Sequence, residues 1–130
     1  MKIYKRKFLR LIGLSIFSAI LPINYLLPSS KKIINPNLSN QQKNVMFNEG
    51  TERPYSSELL HEKREGFYHC ANCGNKLFAS NSKFDSGTGW PSFSEALPGA
   101  FKTKTDKSFG MERVEYHCAN CGAHHGHVFN

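Results

Sequence analysis

Past residue 32 the sequence has no surplus of charge of either sign. Of its 17 Lys+Arg, seven (Lys2, Lys5, Arg6, Lys7, Arg10, Lys31 and Lys32) lie in residues 1–32, and the other ten meet all 10 Asp+Glu. The formal net charge of +7 therefore belongs to the first segment. A nucleic-acid binder needs clustered positive charge facing phosphates, and residues 33–130 lack that footprint. Residues 1–32, in turn, contain no acid. The apolar run Leu11–Leu21 falls short of the roughly 20 residues a membrane-spanning helix needs, because Pro22 and Asn24 follow it. A length of 130 residues suits one domain, not two.

What the first segment does have is order. The basic stretch Met1–Arg10 precedes the apolar run, as in a secretory signal, where charge meets the cytoplasmic leaflet and the apolar part inserts. The interrupting Pro22 favours a cleaved signal over a retained anchor, although no clean small-x-small cleavage site follows. Residues 1–28 are thus expected to be a signal peptide or membrane anchor, residues 29–37 a linker, and residues 38–130 the domain. The expected location is outside the cytoplasm, periplasmic or membrane-anchored, with membrane contact only through the leader. Ser39 is the expected N-cap of a short helix.

Cysteine is scarce and confined to two places. Tyr68-His69-Cys70-Ala71-Asn72-Cys73-Gly74 recurs without change as Tyr116-His117-Cys118-Ala119-Asn120-Cys121-Gly122, and these segments hold all four cysteines. Cys-x-x-Cys-Gly is a zinc knuckle: the spacing lets both thiolates reach one ion, and the glycine allows the turn around it. Two knuckles supply four soft ligands for one structural zinc. In an exported chain disulfides compete with this reading, as do redox pairs and bound iron. The pairing of knuckles favours zinc. His69 and His117 adjoin the cysteines but face a shell already filled, and read as solvated strand residues.

Tryptophan is rarer still. Trp90 is the only one, on the turn-rich stretch Lys83-Phe84-Asp85-Ser86-Gly87-Thr88-Gly89-Trp90-Pro91-Ser92-Phe93. By residue type alone, Trp90 and Phe93 read as cover for a small core. The tail His124-His125-Gly126-His127-Val128-Phe129 offers two arrangements: strand alternation pairs His125 with His127, whereas a turn at Gly126 brings His124 to His127. No carboxylate in the tail chooses between proton donors, a surface cluster and a second metal site. Gly50–Tyr55 reads as a turn, Ser56–Arg64 as a short helix, and Phe67–His69, Lys76–Phe78, Ala100–Thr103 and Met111–His117 as strands. Short strands between Gly/Pro turns predict a mainly β, small antiparallel fold.

Residues 38–130 resemble the B-type methionine sulfoxide reductases, the peptide-methionine (R)-S-oxide reductases. The resemblance rests on Gly50–Pro54, the two knuckles, Leu77-Phe78, Lys83–Phe93, Gly110-Met111 and His124-x-Gly126-His127-Val128-Phe129, all in family order. It implies a twisted antiparallel two-sheet β fold stapled by one zinc at Cys70, Cys73, Cys118 and Cys121, with short N-terminal helices. It implies that Trp90, with Phe93, walls a pocket for the substrate methyl group, and that His124 and His127 bind and protonate the sulfoxide oxygen. The implied substrates are oxidised proteins carrying methionine-(R)-sulfoxide, and the implied reductant is a thioredoxin-like thiol. A family cysteine thiolate attacks the sulfoxide sulfur and becomes a sulfenic acid that thiols recycle. That cysteine lies in an Arg-Tyr-Cys-Asn-type segment beyond the Val-Phe pair. The 130 residues do not contain it, and Thr88 stands where many members carry a resolving cysteine. The domain is therefore expected to be incomplete at its C-terminus and without normal turnover, and a monomer is expected. The alternative is a non-catalytic zinc module recognising methionine sulfoxide or a protein partner. Leu is usual in the family where His125 stands.

Overall fold

The computed structural model describes residues 31–129. The leader expected at residues 1–28 lies outside them, and among the described residues no helix is long and apolar enough to cross a membrane.

Helix α1 (Asn40–Asn48) starts where the sequence predicts. The Ser39 hydroxyl accepts from the Gln42 N–H at 3.1 Å, and the Gln42 side chain returns the bond to the Ser39 N–H at 2.8 Å. This reciprocal box satisfies two otherwise orphaned donors. The helix ends on Glu49, whose left-handed φ of 57° is unusual for a residue with a side chain. The helix buries Met46 beside Leu38.

The helix expected over Ser56–Arg64 is only a single 3-10 turn, Glu58–His61. Its carbonyls are taken from outside the turn. The Lys83 ammonium donates to the carbonyl oxygens of Leu59, Leu60 and Glu62 at 2.5, 3.0 and 2.7 Å. A cation at that end satisfies acceptors which further helical turns would otherwise take.

Among the described residues seven short strands form three antiparallel sheets, where the resemblance implies two. β1 (Phe67–His69) pairs with β2 (Lys76–Ala79). β3 (Lys83–Phe84) pairs with β4 (Ser92–Phe93). β5 (Phe101–Asp106), β6 (Arg113–Cys118) and β7 (His124–Val128) form the third sheet in that order. The extra sheet arises because the glycine-rich loop 85–91 folds back on itself between two-residue strands instead of extending either neighbour.

An aromatic stack joins the three sheets. Phe78 of β2 lies parallel to Phe93 of β4 with centroids 4.0 Å apart and meets Phe101 of β5 at 5.0 Å. Tyr68 of β1 packs edge-on against Phe93 at 4.8 Å, and Tyr116 of β6 against Phe101 at 4.9 Å. Offset and edge-on pairs of this kind contribute about 0.5–1.5 kcal/mol each beyond their burial.

The two copies of the repeated heptapeptide fold alike. Each knuckle closes the tip of a hairpin, β1–β2 or β6–β7. The Gly74 N–H donates to the Cys70 carbonyl and the Gly122 N–H to the Cys118 carbonyl, both at 2.8 Å, with the two glycines at φ 76° and 72°. In both hairpins the register slips at the same step, Tyr68/His69 and Tyr116/His117.

Candidate metal centre and histidine cavity

The knuckles bring their four thiols together. All four Sγ atoms lie within 4.8 Å of one another. The Cys70–Cys121 and Cys73–Cys118 pairs are 3.7 and 3.6 Å apart. Four sulfurs about 2.3 Å from a central zinc would stand roughly 3.8 Å apart, so the thiols already hold nearly tetrahedral spacing. Disulfides, near 2.05 Å, do not describe the cluster, and all four cysteines are free. Three of them are buried, Cys73 only half so. Burial pushes the Cys70 and Cys121 thiols up. Desolvation acts on Cys73 too, but the Asn120 side chain and the Asn75 backbone N–H outweigh it and bring Cys73 down to about 7. A dry thiol cluster without a cation strains against its own deprotonation, and a divalent ion relieves that cost. The residues present fit zinc. With four protein ligands, the ion would be structural and have no position open to substrate. His69 is exposed and His117 half-buried, and neither joins the cluster.

The repeated asparagines meet different surroundings. Asn72 is buried and clasps the segment before α1: its Oδ1 accepts from the N–H groups of Ile34 and Asn35 at 2.8 and 3.2 Å, and its Nδ2 donates to the Lys32 carbonyl at 2.8 Å. Asn120 is exposed.

The second hairpin also builds a histidine pair. Tyr116 faces Gly126 and His117 faces His124, so His125 is the extra residue of a bulge. A bulge re-aims side chains along a strand. Here it puts His124 and His127 on one face, with rings 5.4 Å apart, and sends His125 to the other, 5.7 Å from Phe101. Of the two arrangements the tail allows, the one joining His124 to His127 is found, inside a strand instead of a turn. Gly126 is needed for close approach: a Cβ there would stand 2.6 Å from the Tyr116 hydroxyl.

The carboxylates that the tail lacks come from neighbouring strands. Asp106 of β5 lies 2.8 Å from His127 Nε2 and 2.6 Å from the Arg113 guanidinium. The Ser108 backbone N–H and hydroxyl, then His127 and Arg113, hold its carboxyl well below the usual range. Glu115 of β6, 1% exposed, lies 2.9 Å from His124 Nδ1 and 3.1 Å from Lys104 Nζ. Lys104 in turn reaches Glu49 at 2.6 Å, and Glu49 is brought down to about 2 by Lys104 and then Lys31. Glu49, Asp106, Arg113, Glu115, His124 and His127 line a cavity of about 250 Å³. That volume suits one side chain rather than a large cofactor.

Of the predicted site residues, the structure unites the four cysteines in one place and the two histidines in another. Trp90 does not line the cavity, but its indole N–H donates to the Glu52 carbonyl at 2.9 Å, next to Thr51, which does. Tyr55 fastens the same loop, through its hydroxyl to the Gly87 carbonyl at 3.1 Å and its N–H to the Gly89 carbonyl at 2.7 Å. Phe93, half-buried, sits in the aromatic stack against Phe78 and Tyr68 and does not line the cavity. Sequence reasoning missed Asp106, Arg113 and Glu115. Their signal was the alternation Lys104-x-Asp106 and Arg113-x-Glu115 in adjacent segments, which sets charges on one sheet face.

The SelR domain matches residues 38–130. Over 103 residues the chain is 50% identical to a peptide methionine sulfoxide reductase MsrB of Escherichia coli O45:K1, covering 78% of this chain and 74% of that protein. Over 100 residues it is 46% identical to an MsrB of Methanosarcina barkeri, covering 76% and 68%. The Escherichia coli K12 MsrB is 48% identical over 103 residues, covering 78% and 74%. The paired knuckles, the clasped Trp90 loop and the His124–His127 face all lie within the matched span, and the chain belongs to the B-type peptide methionine sulfoxide reductase family.

Proposed function

We propose that the cavity around His124 and His127 binds the sulfoxide oxygen of methionine-(R)-sulfoxide in oxidised proteins, in the service of thiol-dependent repair. The observation that supports this reading is the histidine pair itself. Two imidazoles, each backed by a carboxylate from another strand, face one side-chain-sized space. A sulfoxide oxygen is a strong acceptor carrying partial negative charge, and its loss as water requires protons that positioned histidines can supply. Trp90 lies outside the cavity's own lining, but, held by Glu52 next to Thr51 of that lining, it is the proposed contact for the methyl group beyond the histidines. A thioredoxin-like thiol is the proposed reductant. Zinc at the four cysteines holds the hairpin tips together and takes no part in the chemistry. The leader at residues 1–28 supports work outside the cytoplasm.

A second reading follows from the cysteines. Every thiol in the 130 residues belongs to the cluster. A thiolate committed to zinc is unavailable as a nucleophile, and removing it would undo the fold. The 130-residue chain is therefore proposed to recognise methionine sulfoxide without reducing it. Titration of the zinc-loaded chain with N-acetyl-methionine-(R)-sulfoxide tests both readings. His124, His127 and Trp90 resonances should shift, the (S) epimer should bind more weakly, and dithiothreitol should yield no methionine. Silent histidines would refute the binding site, and steady turnover would refute the second reading.

A further inference from the structure

We infer that Glu115 is the positioning residue of His124, fixing its imidazole as the Nδ1–H tautomer with a bare Nε2 on the ring's other side. The functional meaning rests on the sulfoxide reading above, but the tautomer is a property of the chain alone.

Glu115 is among the largest fully buried side chains of the described residues. A buried carboxylate needs donors on both oxygens. Oε2 has the Lys104 ammonium at 3.1 Å, a group with donors only. Oε1 has His124 Nδ1 at 2.9 Å. The contact is an ion-pair distance that falls outside hydrogen-bond geometry, and neither atom has a hydrogen-bond partner among the described residues. Two buried polar atoms this close are each other's only available partner, and rotating the imidazole to aim Nδ1–H at Oε1 satisfies both. A carboxylate carries no proton to give, so Nδ1 must carry the proton.

Lys104 is held in turn. Alternating charges run Lys31–Glu49–Lys104–Glu115–His124, with contacts of 3.0, 2.6, 3.1 and 2.9 Å. The chain begins at the left-handed end of α1 and finishes in the cavity. His127 is held the opposite way, by Nε2 on Asp106. An oxygen entering the cavity thus meets His124 through Nε2, and protonation there makes an imidazolium whose charge Glu115 balances.

The test is nitrogen-15 spectroscopy of the histidine-labelled, zinc-loaded full chain at pH 8, where a free imidazole is neutral. In the wild type, His124 should show a protonated Nδ1 and a bare Nε2, and His127 the reverse. A protonated Nε2 on His124, alone or with Nδ1 also protonated, overturns the inference even if no variant folds. In Glu115→Gln, Lys104 claims the single side-chain oxygen and the amide N–H turns to Nδ1. The two His124 resonances should then exchange positions while those of His127 stay. Adding Lys104→Met frees that oxygen and should restore the wild-type pattern. An unchanged His124 in Glu115→Gln, with zinc content and backbone amide spectrum intact, also overturns it. If the tautomers behave as stated and no sulfoxide binds, the functional reading falls and the positioning role stands.

Discussion

Replacing His125 with leucine should stabilise this protein and flatten its response to acid. His125 is the bulge residue of β7, turned away from the cavity toward Phe101, and its Nε2 is buried without a partner among the described residues. Burial first, and the neighbouring His124 charge second, lower its pKa from 6.5 to about 4. The folded state thus holds His125 neutral, while the unfolded chain takes up a proton more readily. A depressed base contributes stability that is present above the unfolded pKa and lost as pH falls toward the folded one. The window here runs from about 6.5 down to about 4. A shift of that size corresponds to about 3 kcal/mol across the whole window, of which roughly 1 kcal/mol is lost by pH 5.5. Leucine has no proton to gain, so that loss vanishes. It also removes a buried unsatisfied nitrogen, worth about 1–3 kcal/mol at any pH. The assay is urea unfolding of zinc-loaded wild type and His125→Leu at pH 8 and 5.5. Thiolate protonation and zinc release affect both proteins alike and cancel in the difference. The variant should be more stable at pH 8 by about 1 kcal/mol or more, and its advantage should grow by roughly a further 1 kcal/mol at pH 5.5. An advantage that stays constant with pH would refute the burial argument, and a loss at pH 8 would show that the imidazole has a partner worth keeping.

Metal analysis should find about one zinc per chain, and chelation should unfold the domain cooperatively in circular dichroism; a chelator-resistant fold would refute the structural role. Asn72→Ala removes the acceptor for Ile34 and Asn35 and the donor to Lys32, at a cost of about 1–3 kcal/mol. Amide exchange at Ile34 and Asn35 should accelerate markedly, whereas Asn120→Ala should leave those amides protected. Gly126→Ala forces a methyl against the Tyr116 hydroxyl, 2.6 Å away, and should cost about 1–3 kcal/mol in a thermal melt. Unchanged melting would mean the sheet yields there freely.

The features legible in the sequence were those whose physics is local. Ser39 and Gln42 announce the start of α1 within four residues. The knuckles announce a metal site because ligand spacing and the following glycine are set within five. What stayed hidden depends on pairing across strands. Glu115 sits in Arg113-Val114-Glu115-Tyr116, which read alone is an ordinary solvated strand. It is buried only because β5 and β7 flank it and α1 ends over Lys104. The choice between His124 and His125 as the partner of His127 turned on one extra residue in a bulge, and no local pattern marks that residue. Phe93 illustrates the reverse. Its residue type suggested cover for a small core, and it stacks half-buried on Phe78 instead of lining the cavity. The 3-10 turn at Glu58–His61 is shorter than its sequence suggested because Lys83, more than twenty positions later, takes up its carbonyls.

The identical knuckles carry a consequence for how the chain finds its structure. A metal ion caught by Cys70 and Cys73 is half coordinated, and its completing pair can be Cys118 and Cys121 of the same molecule or either knuckle of a neighbour. Nothing in the heptapeptides themselves distinguishes these choices, because their sequences are the same. Selection falls to the 44 residues between Cys73 and Cys118. Tethering holds the second loop at an effective concentration on the order of millimolar. Dilute refolding with zinc therefore closes the ring within one chain. Crowded refolding, with chains packed at comparable concentration, lets ions stitch molecules together into metal-linked oligomers that only dilution or a chelator takes apart.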